Sequence, residues 1–107
     1  LDADQRFASR VEALMLPVLH TGRVSADWAA AKLGMSRQTL YRRLKAEGCT
    51  FGEVLDDTRR RMALDYLGAK RVSVNETAYL VGFSDPAAFS RAFKRWTGKS
   101  PSAARGR

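Results

Sequence analysis

Residues 25–36, SADWAAAKLGMS, return 48 positions later as residues 73–84, SVNETAYLVGFS. Matched one to one, Ser25, Ala30, Leu33, Gly34, Met35 and Ser36 become Ser73, Ala78, Val81, Gly82, Phe83 and Ser84. Each copy reads as a capped short helix, a small residue where two helices touch, a glycine-centred turn and a second capped helix. Serine hydroxyls accept from the orphan amides that open a helix, and glycine takes the left-handed conformation that closes one. A single copy describes any helical hairpin. Two at a constant spacing predict a duplicated helix-turn-helix.

Before the first copy, residues 4–19 place Phe7, Val11, Leu14, Leu16, Val18 and Leu19 near helical spacing. Pro17 lacks a backbone donor and should kink or restart that helix, which His20-Thr21-Gly22 ends. Ser36 is expected to cap a helix over 37–47 that Gly48 closes. Thr50 and Glu53 form a capping box opening a longer helix to Leu67, followed by a basic loop over 68–72. Ser73 and Glu76 repeat the box. Ser84 and Asp85 start the next helix, with Pro86 in its first turn, where a missing amide is harmless. Gly98 ends it, and Ser100-Pro101 begins a last turn through Ala104. No stretch alternates with period two, so no sheet is expected. The fold class is all-α, with about seven helices and two helix-turn-helix subdomains joined by a long linker helix. The expected boundaries are 1–48 for the first lobe with its leading helix, 49–67 for the linker helix and 68–107 for the second lobe.

At 107 residues the chain is one domain or two small lobes. Nineteen Lys and Arg oppose eleven Asp and Glu, a net charge of +8 that favours polyanionic partners through counterion release. The single cysteine, Cys49, has no partner for an intrachain disulfide, which fits a reducing cytoplasm. No apolar run approaches the roughly 18 to 20 residues of a membrane span, so no membrane partner is expected. The start, Leu1-Asp2-Ala3-Asp4, lacks the basic-then-apolar order of a secretory signal. It also lacks an initiator methionine, which suggests an excised domain. One histidine, His20, one cysteine and no glycine-rich phosphate loop after a strand leave an enzyme, a metal site or a cofactor without the residues it needs.

The second helix of each copy carries the chemistry. Stepping about 100° per residue, Leu40 and Leu44 share one side of the first. Gln38, Arg42 and Lys45 point away, with Tyr41 and Arg37 at the flanks. These side chains suit base edges: arginine pairs with guanine and glutamine with adenine. Every surface helix has a polar face, but this one holds no carboxylate until Glu47. In the second copy Phe89, Phe93 and Trp96 cluster, while Ala87, Arg91 and Lys94 face away with Ser90 at the flank. At the 48-residue spacing Arg91 takes the place of Arg43, yet Leu40 meets Ala88 rather than Phe89. The second helix is therefore expected to be rotated slightly. Trp28, Phe89, Phe93 and Trp96 read as core anchors rather than base-stacking platforms. The run Arg59-Arg60-Arg61 is expected to be part solvated face and part ion pairs to Asp56, Asp57 or Asp65.

The stretch from Ser25 to Arg105 resembles the DNA-binding domain of AraC/XylS-type bacterial transcriptional regulators. GFSDPAAFSRAFKRWTGKSPSAAR, residues 82–105, is very close to that family's pattern, and AAAKLGMSRQTLYRRLKAEG, residues 29–48, matches it well. The resemblance implies seven helices, with both recognition helices entering successive major-groove segments on one face of double-stranded DNA. It implies reading through Gln38, Tyr41 and Arg42 in the first and through Ala87, Ser90 and Arg91 in the second. It also implies an N-terminal sensing or dimerisation domain outside this sequence, RNA polymerase as the partner of an activator, and a cytoplasmic, nucleoid-associated location. A connector of about 25 Å plus the helix widths it joins suits readers one DNA turn apart, about 34 Å. Two non-identical readers call for an asymmetric site. Phosphate contacts are expected from cap amides near Ser25, Ser36, Ser73 and Ser84 and from Arg95 and Lys99. The competing function is a helical interaction module whose basic face docks an acidic protein such as a polymerase subunit. Titration with random duplex at two salt concentrations separates the two.

Overall fold

The computed structural model describes residues 6–106; positions 4 and 5 of the expected leading helix, the first three residues and Arg107 lie outside the described residues. Among the described residues there are seven α-helices and no strand. They are α1 Phe7–Met15, α2 Ala26–Lys32, α3 Arg37–Ala46, α4 Phe51–Ala69, α5 Val74–Leu80, α6 Pro86–Thr97 and α7 Pro101–Arg105, with a 3-10 helix over Leu16–Thr21. The fold is all-α, with seven helices, as the pattern and the resemblance require.

Pro17 acts where its missing donor matters: α-helical bonding stops at Met15 and the chain tightens into the 3-10 turn. The expected apolar positions Phe7, Val11 and Leu19 are buried and Leu14 and Val18 pack against the core, with Met15 added and Leu16 the exception. Phe7, Val11 and Met15, spaced by four, are buried, whereas Leu16 is 39% exposed. Capping boxes open α4 and α5. Thr50 N–H donates to Glu53 Oε1 at 3.0 Å while Glu53 N–H donates to Thr50 Oγ1 at 3.1 Å. Ser73 and Glu76 make the same reciprocal pair at 2.8 and 3.0 Å. The long helix runs two residues past the expected end at Leu67, through Gly68 and Ala69. Its stop lies instead at Lys70, which takes a left-handed φ of 57°. Arg105 of α7 then donates to the Val72 carbonyl at 2.8 Å, holding the loop that follows.

The chain divides into two compact units. One comprises the chain up to Val18 together with Arg23–Thr58; the other comprises Leu19–Gly22 and the chain from Arg59. The core of the first is built from Phe7, Val11 and Met15 of α1, Ala29 and Ala30 of α2, and Leu40 and Leu44 of α3, with Trp28 packed against it. The second buries Leu67, Ala78, Val81, Phe89, Ala92 and Phe93. Its rings meet in tilted and edge-on pairs, with Phe83 5.6 Å from Phe89 and 6.0 Å from Trp96. No helix among the described residues is long and apolar enough to cross a membrane.

Candidate nucleic-acid interface

Both turns close by the same bonds. In the first unit the Ser25 hydroxyl caps α2 by accepting from Trp28 N–H at 3.1 Å. Gly34 N–H then donates to the Ala31 carbonyl and Met35 N–H to the Ala30 carbonyl. In the second, Gly82 donates to Tyr79 and Phe83 to Ala78. This is the paired closure that a left-handed glycine after a helix permits, and Gly34 and Gly82 have φ of 69° and 97°.

After the turn the repeat slips by one. Ser36 caps α3 by accepting from Thr39 N–H at 3.0 Å. Ser84, its counterpart, does not cap α6: Asp85 does, accepting from Ala87 N–H at 3.0 Å, and Pro86 fills the first helical position. Of the two residues expected to start the helix, Ser84 and Asp85, the second is the cap. The recognition helices therefore correspond at a spacing of 49, which sets buried Leu40 and Leu44 against buried Phe89 and Phe93. On that spacing Gln38, Tyr41, Arg42 and Lys45 match Ala87, Ser90, Arg91 and Lys94. The apparent rotation of the second helix is one inserted turn residue, and Arg91 answers to Arg42. Arg43, its counterpart at 48, turns instead toward α1, its guanidinium 4.1 Å from the centre of the Phe7 ring.

On α3 the five expected readers Arg37, Gln38, Tyr41, Arg42 and Lys45 are all exposed. The first four line one open groove. Arg42 Nη2 donates to Thr39 Oγ1 at 3.2 Å, which orients the guanidinium along the helix. Lys45 Nζ donates to the Tyr41 hydroxyl at 3.3 Å. Arg37 lies 3.6 Å from Asp27 on α2, an exposed pair that holds little free energy and opens readily for a ligand. On α6, Ala87, Arg91 and Lys94 are exposed and Ser90 is half-buried. Arg95 and Lys99 are exposed, as are Ser25, Ser36, Ser73 and Ser84. The helix starts differ electrostatically. Those of α2 and α5 carry Asp27 and Glu76 in the first turn and α6 is capped by a carboxylate, whereas the start of α3 has no acid.

Sequence reasoning passed over three of these residues. Thr39, one turn before Arg42, could have been read from its spacing, and so could Asp27 as a partner for Arg37. Glu47 could not: its carboxylate accepts from the Phe7 and Ala8 amides, 40 and 39 residues away. Those bonds, from Ala8 and from Phe7, hold its carboxyl below the usual carboxylate range. Beside it, burial pushes the Cys49 thiol up, and Sγ donates to the Leu44 carbonyl at 3.6 Å.

Residues 29–107 match the family described as Helix-turn-helix domain. Over 103 residues the chain is 41% identical to the Ornithine utilization regulator of Pseudomonas aeruginosa, covering 95% of this chain and 30% of that protein. The chain belongs to the AraC-type helix-turn-helix family. Among solved structures, this AraC-type domain is similar to a DNA-binding transcriptional dual regulator from Escherichia coli K-12. The TM-score is 0.89 at 19% identity over 98% of this chain and 94% of that one, a likeness of fold. It is also similar to the DNA-binding domain of AdpA in complex with a target DNA, with a TM-score of 0.81 and 33% identity over 92% of this chain and 88% of that one. The chain spans 30% of the length of the curated relative named first.

Proposed function

We propose that this AraC-type domain binds double-stranded DNA sequence-specifically, reading the major groove through two unequal recognition helices, α3 and α6. One observation carries the reading. Five hydrogen-bonding side chains stand exposed on α3 above the buried Leu40–Leu44 seam, and the helix contains no carboxylate. A merely solvated face mixes signs; a face that meets phosphates and base edges excludes acids.

In this reading Arg42 takes guanine and Gln38 adenine, with Tyr41 beside them and Arg37 and Lys45 at the groove edges. On α6 Arg91, Ser90 and Lys94 donate to base edges and Ala87 meets a thymine methyl. Arg95 and Lys99 neutralise phosphates, and the amides near Ser25, Ser36, Ser73 and Ser84 approach others, with the acid-free start near Ser36 the most favourable. Residues 1–48, 49–67 and 68–107 act as first lobe, linker segment and second lobe, the linker helix itself extending to Ala69. We infer readers addressing groove segments one turn, about 34 Å, apart. For the whole regulator we infer an N-terminal effector or dimerisation domain, activation through RNA polymerase, a bacterial cytoplasmic location and no catalysis. The family and the greater length of its relatives support that assignment.

Fluorescence titration with random duplex at two salt concentrations tests the function. Affinity falling steeply with salt, by several counterions, is expected; no binding at low salt would overturn it.

A further inference from the structure

We propose that Glu47 is a positioning residue for DNA reading: its carboxylate ties the first turn of α1 to the C-terminal end of recognition helix α3 and so fixes the pose of Gln38 and Arg42. The inference rests on the DNA-reading function above and adds to it a residue off the groove face.

The first turn of a helix leaves amides that need acceptors. At α1 the local position offers none: Arg6 is extended, with φ −74° and ψ 144°, and its side chain makes no capping bond. Glu47 supplies both acceptors from across the unit, Oε2 to Phe7 N–H at 2.6 Å and Oε1 to Ala8 N–H at 2.9 Å. The same residue is the C-cap of α3, its own amide donating to Leu44 and Lys45 carbonyls. One side chain thus finishes one helix and starts another. Arg43 adds a second tie one turn earlier, its guanidinium over the Phe7 ring at 4.1 Å. Phe7 itself is buried in the same core as Leu40 and Leu44.

Its placement breaks a local rule. A carboxylate at a helix C-terminus meets the negative end of the dipole. Such a residue is placed against its own helix, and the compensating gain is the positive start of α1.

The test compares a duplex selected in vitro from a random pool with a scrambled duplex. Glu47→Gln removes a negative charge at constant size, so electrostatics alone tightens both duplexes equally. Positioning instead lowers the selected-to-scrambled affinity ratio about three- to ten-fold and speeds amide exchange at Phe7 and Ala8. A second variant, Glu47→Gln with Arg6→Ser, gives α1 a local cap in place of the carboxylate tie to α3. Its melting temperature is expected to recover while the ratio stays low. Should Glu47→Gln not fold alone, this double variant carries the same comparison. A ratio unchanged in Glu47→Gln, or restored together with stability in the double variant, overturns the inference and leaves DNA reading intact. A wild-type chain that holds both duplexes equally brings down the DNA-reading function and the inference with it.

Discussion

In the first unit Tyr41 stands 51% exposed on α3; in the second, the residue 48 positions on, Phe89, is fully buried. The two units share the two bonds that close the glycine turn, and the side-chain faces diverge in the few residues that follow it. Asp85-Pro86 starts α6 one residue later than Ser36 starts α3, and every face downstream moves by one position. The cap, more than overall alignment, decides which side chains a recognition helix shows. The turns differ in a second way. A Cβ on Gly34 would meet nothing within 4 Å, whereas one on Gly82 would lie 2.5 Å from the Leu19 carbonyl oxygen. The first turn is open to solvent; the second is packed under the Leu19–Gly22 segment.

The largest effect expected from that contrast is on stability. Gly82→Ala combines a left-handed φ with a backbone collision and should destabilise by about 2–4 kcal/mol, while Gly34→Ala bears only the φ penalty of about 1 kcal/mol. Urea unfolding of the two variants checks this; equal losses would mean that the second turn is as open as the first. Next come the paired arginines. Arg42→Ala should weaken the selected duplex by about 1–3 kcal/mol with little effect on a scrambled one, and Arg91→Ala should relax specificity at base pairs in the other half of the site. Equal losses on both duplexes would make either residue a phosphate contact. Smaller still is the cap exchange: Asp85→Ala should cost about 1 kcal/mol and Ser84→Ala less than about 0.5 kcal/mol. The reverse order would restore the 48-residue spacing to α6.

The smallest effect is acid sensitivity at Glu47. Amide bonds from Ala8 and Phe7, helped by the charges of Arg6 and Arg43, lower its folded pKa. The unfolded chain therefore takes up the proton first as pH falls. Its contribution is complete above about pH 5 and is lost as pH drops through about 4 toward the folded value. The melting difference between wild type and Glu47→Gln should accordingly shrink from pH 6 to pH 3. A constant difference would show that the charge is not used.

What was legible in the sequence was local. Caps at Ser25, Ser36 and Ser73, the glycines at 34, 48, 82 and 98, and the buried faces of α3 and α6 all follow from residues within one turn of each other. Two adjacent residues, Ser84 and Asp85, could each cap α6, and only Pro86 at the next position settles which one does. The end of α4 was misplaced because glycine at 68 stays helical and Lys70 takes the left-handed turn. The bonds from Phe7 and Ala8 to Glu47 span most of the first unit and leave no periodic trace. Arg105 on Val72, 33 residues apart, is the same kind of contact in the second unit.

Selection of duplexes from a random pool tests the central claim most directly. Two unequal readers predict an asymmetric site with two elements about one helical turn, roughly 10 base pairs, apart, the element read by α3 more sharply defined than the one read by α6. No enrichment, a single element or a palindrome would contradict it.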